Sequence, residues 1–399
     1  MRKLTLLTLA AAACAAVFTS ALGSVTSTIS PGPWDLFKGS TKVSAGHPNL
    51  DACEGAARAL NKAAGYTCRN SVKVSVVVAV DPPPAPIDHS HGPVIDESKI
   101  MAPVAGSRDL RIKATAELPT ALNDFGAFRA ECGVSHMAKD DPIVYPGQPG
   151  ASHLHTFFGN TGANASSTAA SLASSGNSTC RGGIANRTAY WVPTMCEITD
   201  PLKPCVPVKP RSAVFYYKTG YNGIKPAQIN PLPDGLRMVA GDAANTGPNG
   251  RFRWKCIGDA EASKLVGQAI QNCPVGAELY MEVFFPQCWN GKDLDSPDHK
   301  SHMAYPVKGA CPANWLAVPE ITFEIRYTVA EPNQPLRWRL ASDKYEPVIA
   351  SGTTTAGRSA HGDWFDGWKP EIKRTWTARC DRASMDCHSH LLGDGREVY

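Results

Sequence analysis

EITFEIRYT, residues 320–328, alternates strictly: Glu320, Thr322, Glu324 and Arg326 are polar, and the residues between them are apolar. Successive side chains leave a β-strand on opposite sides, so this pattern predicts a strand with one wet and one dry face. AELYMEVFFP (277–286) and AVFYYK (213–218) are apolar and aromatic runs of strand length. Gly, Pro and Asn break the chain between such runs, which predicts long irregular loops. Within this part of the chain only AEASKLVGQAIQ (260–271) carries helical spacing. Thirty-two prolines and 34 glycines favour a mainly β fold, a β-sandwich or jelly-roll-like domain with few helices, over an α/β sheet.

Outward from these strands, residues 121–399 are predicted to form the main domain. Residues 24–120 are predicted to be an N-terminal extension with a small α+β unit. In it NLDACEGAARALNKAA (49–64) has helical spacing and SVKVSVVVAV (71–80) is β-rich. A Cys53–Cys68 bond would staple the two. DPPPAPIDHSHGP (81–93) reads as a linker, and His89 and His91 fall within it.

Arg2 and Lys3, the apolar run from Leu4 to Phe18, and the small residues up to Gly23 read as a signal peptide over residues 1–23. A secreted or periplasmic protein is expected. Cysteine usage agrees. Of thirteen cysteines, Cys14 would leave with the signal, and the twelve that remain are an even set suited to a disulfide framework. Near-neighbour pairing suggests Cys53–Cys68, Cys256–Cys273, Cys288–Cys311 and Cys380–Cys387. There is no Cys-x-x-Cys pair to suggest a zinc knuckle or a redox motif. The 40 basic and 36 acidic residues form no basic run, so nucleic acid is not an expected partner. No second apolar stretch is long enough to predict a membrane span in the mature chain.

Four segments combine ionisable and aromatic residues: FRAECGVSHMAKDDPIVYPGQPGASHLHTFFGN (128–160), STCRGGIANRTAYWVPTM (178–195), FPQCWNGKDLDSPDHKSHMAYP (285–306) and HGDWFDGW (361–368). In this order they resemble the DUF1996 family, a secreted domain of unknown function that fungi often fuse to wall-binding WSC modules. The resemblance covers about residues 121–387. It implies an extracellular polysaccharide setting and no established reaction.

The residues suggest chemistry of their own. His153 and His155 are two apart in a β-compatible run and would project together, as two metal ligands or as a base and its helper. His136, Asp140 or Asp141 could be a third partner. Asp293, Asp295, Asp298, His299 and His302 crowd one turn-rich loop, where carboxylates and imidazoles can divide acid and base roles. His361, Asp363, Trp364 and Trp368 alternate hydrogen-bonding and stacking groups, as sugar sites do. Tyr216-Tyr217-Lys218-Thr219-Gly220 is faintly similar to a strand of jelly-roll uronate lyases. No Gly-x-Ser-x-Gly elbow, P-loop or His-Glu-x-x-His motif is present.

The expectation is a secreted protein acting on extracellular or cell-wall polysaccharide, a glycan hydrolase in the first instance. His153, His155, Asp293, Asp298, His302 and Asp363 would be its catalytic groups. Trp191, Trp289, His361, Trp364 and Trp368 would line its groove. A non-catalytic glycan-binding protein, a metal-site protein centred on His153 and His155 with His136 as a candidate further ligand, and a uronate lyase are the alternatives. A divalent metal is the cofactor the histidines would suit.

Overall fold

The computed structural model describes residues 25–30, 33–38, 40–48, 52–53, 56, 66–70, 73–78, 92–350 and 353–399. The chain falls into two compact units, residues 1–85 and 86–399. The predicted signal peptide, His89 and His91, and most of the predicted helix 49–64 lie outside the described residues. In the smaller unit Val25–Ser30 pairs antiparallel with Lys73–Val78. A three-stranded sheet runs Thr41–His47, Trp34–Lys38, Tyr66–Asn70. Ala52, Cys53 and Ala56 are helical, and Cys53 is bonded to Cys68.

The larger unit is mostly β. Ten strands carry its architecture: β1 (Gly126–Cys132), β2 (Val134–Ala138), β3 (His155–Gly159), β4 (Ala189–Pro193), β5 (Ser212–Thr219), β6 (Arg237–Gly241), β7 (Phe252–Ile257), β8 (Glu278–Phe284), β9 (Glu320–Thr328) and β10 (His361–Phe365). One sheet is ordered β7-β8-β9-β5-β1, extended by Val266–Gly267 beyond β7 and by Met385–Asp386 and Thr120–Ala121 beyond β1. The other is ordered β6-β10-β4-β3-β2. Side chains from both meet in a shared core. Phe215 of β5 stacks on Tyr190 of β4 with ring centroids 3.8 Å apart, and Phe323 of β9 packs edge-on against both. Such buried aromatic and aliphatic side chains each contribute about 1.5–3 kcal/mol. This is the sandwich that the period-two runs predict, and the apolar half of EITFEIRYT is its dry face: Ile321, Phe323 and Ile325 are buried.

The polar face of the larger sheet is a charge ladder whose carboxylates are buried beneath their cations. Glu282 and Glu324 stand opposite each other in register. Lys255 reaches both, at 2.8 and 3.4 Å, Arg253 bonds Glu282, and Arg326 bonds Glu324. These carboxylates are fully engaged, so the face is a salt-bridged surface with no free acid.

All four near-neighbour disulfides are formed, and Cys132–Cys180 and Cys196–Cys205 complete the six. Two expectations need correction. Residues 260–271 are not a helix: they hold a 3-10 turn at Ala262–Lys264 and the short strand Val266–Gly267. A 12-residue helix would extend about 18 Å, whereas Cys256 and Cys273 are bonded with Cα atoms 5.6 Å apart, so the chain must turn straight back. The expected boundary at residue 120 falls inside the larger unit, because Ile112–Ala114 pairs with Arg396–Val398 and ties this stretch to the C-terminus. Among the described residues of the larger unit there are two short α-helices, α1 (Ala169–Ser174) and α2 (Pro370–Trp376). No helix among the described residues is long and apolar enough to cross a membrane.

Candidate metal centre

Strand parity builds the site. In β3, Phe158 points into the sandwich core, which sends His155 and Phe157 to the opposite face. In β10, Trp364 points into the core, and His361, Asp363 and Phe365 face away. Gly362 permits that: a Cβ there would lie 2.9 Å from the Phe323 ring, so only glycine lets β10 sit this close to β9. Cross-strand register places Trp191 beside both Phe157 and Asp363. The outer face of the five-stranded sheet therefore collects His155, His361 and Asp363 on a floor of Phe157 and Trp191.

His153 approaches from the loop before β3. Its ring lies 4.2 Å from that of His155 and 5.0 Å from that of His361. His153 Nε2 is 3.2 Å from His361 Nε2, and His155 Nε2 is 3.4 Å from the same atom. Backbone carbonyls fix two of the three tautomers. His155 Nδ1 donates to Asp140 O at 3.0 Å, and His361 Nδ1 donates to Ser359 O at 2.8 Å. Ser359 is itself held by Asp343 Oδ1, at 2.6 Å from its hydroxyl. A neutral imidazole has one N–H, so both Nε2 atoms present lone pairs. Ligating histidines are oriented in the same way, by a carbonyl on the far nitrogen.

Two carboxylates join them. One ligand atom from each of Asp141, His155 and Asp363 lies within 4.8 Å of the other two, and the same holds for His153, His155 and His361. Asp141 Oδ1 accepts from the backbone N–H groups of Ile143 and Val144. Asp363 is 1% exposed, and neither of its oxygens has a hydrogen-bond partner among the described residues. Burial, then the Asp141 charge, push the Asp363 carboxyl well above its ordinary range. Burial also pushes Asp141 up. It lowers His155 and His361 to about 4, and His153 well below its usual value, so all three rings are neutral at pH 7. A buried acid without a donor, beside a second acid and three neutral imidazoles, is a set of electron-pair donors lacking an acceptor. Three imidazoles and a carboxylate are the donors that first-row divalent ions such as zinc or copper take.

A pocket of about 280 Å³ opens over the cluster, lined by His153, His361 and Asp363 at its base and by Tyr145, Asp242, Asp298, His299, Lys300 and Lys344 around it. Three of the sequence segments thus meet at one opening. The placement of individual residues differs from expectation. Trp191, Trp364 and Trp368 do not line the pocket: all are buried, and the indole N–H groups of Trp364 and Trp368 both donate to Tyr217 Oη, at 3.1 and 3.0 Å. Trp289 is held by the carbonyl of Asp293 at 2.7 Å and packs against the core. Tyr217, of the lyase-like strand, is buried, and its phenol is pushed well above its ordinary range by burial.

Among the proposed acids and bases, Asp298 reaches the pocket, but its Oδ1 accepts from Ser301 N, Ser296 Oγ, Ser301 Oγ and Lys300 N. These bonds, the Ser301 N–H first, hold the carboxylate far below its usual range and suit it to organising a turn. His302 is buried with both ring nitrogens engaged, by Ser296 Oγ and Arg237 O. Asp293 accepts from Asn290 Nδ2 and is not among the pocket residues. His136 stacks on Phe157 and bonds Ser135 Oγ, so it is no part of the ligand set. Asp242 and Lys344 lie outside the four segments and belong to no motif, and Tyr145, though inside the first segment, is not singled out there.

A family model described as a domain of unknown function, DUF1996, matches residues 141–368. No curated protein and no solved structure matches the chain.

Proposed function

The chain belongs to the DUF1996 family, and we propose that it is a metal-dependent hydrolase of extracellular glycans, its metal held by His153, His155, His361 and Asp363. The observation that carries this reading is the convergence of the His155 and His361 lone pairs, with tautomers fixed by carbonyls, beside an Asp363 carboxylate without a donor. Asp141, which lines the same pocket, would be a further ligand or the partner that holds a ligand in place.

Such an ion would activate a bound water and polarise a carbonyl oxygen. That chemistry suits acyl groups carried on a polysaccharide better than the glycosidic bond. Cleaving a glycosidic bond usually requires two carboxyls flanking it, one of them poised to give a proton. Here the two close acids, Asp141 and Asp363, are both buried, and Asp298 is tied into a turn. Tyr145 offers a ring for stacking at the rim, and Lys300 and Lys344 offer donors to oxygen-rich groups. The disulfide framework and the apolar N-terminal stretch support an extracellular setting.

Elemental analysis of protein purified without chelator and then supplied with zinc is the first test. About one ion per chain is expected, and none in His155→Ala or His361→Ala. Release of acetate from acetylated xylan and chitin, measured beside new reducing ends, identifies the bond. A protein that takes up neither zinc, cobalt nor copper sinks the proposal.

A further inference from the structure

Away from the histidine cluster, a groove of about 390 Å³ is bounded by Ile224, Gln228, Asn230, Trp315, Leu316 and Ala317. None of the residues lining it carries a charge. Trp315 is half-buried: it packs against the cluster of Ile224, Ile229 and Cys288, beside the Cys288–Cys311 bridge, and also lines the groove. The scaffold beneath is rigid. Leu316–Ala317 pairs with Cys288–Trp289, which pairs in turn with Met303–Ala304.

The polar atoms around the indole are divided between engaged and free. Asn230 Nδ2 is held by the carbonyls of Gln228 and Ala317, both at 3.2 Å, which fixes the amide and leaves Oδ1 as an acceptor. Gln228 Oε1 accepts from Lys225 N at 3.1 Å, which leaves Nε2 as a donor. Within the described residues these two atoms and Trp315 Nε1 have no partner. The groove is thus lined by one aromatic ring, a fixed acceptor and two unpaired donors, and by no ionisable group.

We propose that this groove is a binding site for neutral, uncharged-sugar polysaccharide, separate from the metal centre. A pyranose ring has an apolar C–H face that stacks on an indole, and hydroxyls at its rim that both donate and accept. An anionic polymer would find no counter-charge here, and a purely apolar ligand would leave the amide atoms of Gln228 and Asn230 desolvated and unpaired. The site holds polymer and has no group able to cleave it. The same three-stranded sheet sends out the 290–302 loop whose Asp298, His299 and Lys300 border the metal pocket. Polymer held at Trp315 is thereby presented to the molecule that carries the reactive centre.

The test is retardation of the full chain in native gels cast with soluble neutral polymers (a mixed-linkage glucan, a xylan and a galactomannan), with polygalacturonate as the charged control. Retardation by at least one neutral polymer and not by polygalacturonate is expected. Trp315→Ala should weaken it by roughly tenfold or more, as loss of an aromatic hot spot does. Gln228→Ala, an exposed position away from the core, should weaken it several-fold without a folding risk. His155→Ala should leave it unchanged, which separates this site from the metal proposal. Wild type retarded by no neutral polymer, or Trp315→Ala and Gln228→Ala both retarded as strongly as wild type, would overturn the inference.

Discussion

His155 Nε2 faces His361 Nε2 at 3.4 Å, and neither nitrogen holds the hydrogen that would make the contact a bond. Each ring has already given its one N–H, His155 to Asp140 O and His361 to Ser359 O. Two lone pairs held face to face are stabilised by a cation between them. Metal should therefore stabilise the folded chain. At an ion concentration one hundred times the Kd the gain is about 2.7 kcal/mol. Thermal melts of chelator-treated protein with and without zinc measure it. His361→Ala should melt at one temperature in both conditions, and an equal zinc response in that variant would remove the His cluster as the binding site.

Asp363 separates a ligand from a structural acid. Its oxygens have no donor among the described residues, so without metal the carboxyl is an unpaired buried group. Replacing an unpaired buried carboxyl by an amide of the same size removes no bond and is close to neutral, whereas removing a metal ligand weakens the ion. Metal-free Asp363→Asn should melt at or above metal-free wild type, and its gain on adding zinc should shrink. A metal-free variant that melts well below wild type would instead make Asp363 a structural residue.

The sandwich was legible because period-two patterning is local: EITFEIRYT and AELYMEVFFP carry their dry faces in their own order. Four of the disulfides were legible because short separations leave few partners. The tryptophans of HGDWFDGW were misread for a physical reason. Parity does alternate in that strand, but a sheet packed on both sides buries both sets, so Trp364 enters one layer while His361 and Asp363 enter the other. Sequence shows that two sets alternate and is silent on what covers each. Asp298 illustrates the complementary limit. Its acidity is set by N–H groups of Lys300 and Ser301 that only the folded turn aims at it. The pairing of His153 and His155 could be read from spacing, but His361, about two hundred residues away, reaches them only through the pairing of β10 with β4 and of β4 with β3.

Tyr217 tests whether the lyase-like strand has any chemical role. Its hydroxyl accepts from Trp364 and Trp368 and shares a 2.7 Å bond with Tyr190. Tyr217→Phe leaves two indole N–H groups buried without an acceptor. That should cost about 1–3 kcal/mol in denaturant unfolding while zinc stoichiometry stays at wild-type level. An unchanged midpoint, with loss of activity on uronate polymers, would revive the lyase reading.

Acid stability should depend on the pair that fastens the C-terminal segment to β1. Arg129 Nη1 and Nη2 bond the two oxygens of Asp386 at 2.6 and 3.1 Å, and His388 N donates to the first at 2.9 Å. Burial alone would raise the Asp386 carboxyl. The Arg129 bonds and the His388 N–H outweigh it and hold the group below its usual value. The folded state therefore releases this proton more readily than the unfolded chain, whose aspartates titrate near about 3.9. The stabilisation is complete above that value, declines as pH falls towards the folded pKa, and is absent below both. Asp386→Asn lacks this contribution at every pH. The gap in unfolding free energy between wild type and Asp386→Asn should be constant from about pH 7 down to about pH 5 and should close below about pH 4. Urea unfolding of both proteins across that range measures it, and a gap that persisted unchanged to pH 2 would show that the carboxylate charge is not what fastens the segment.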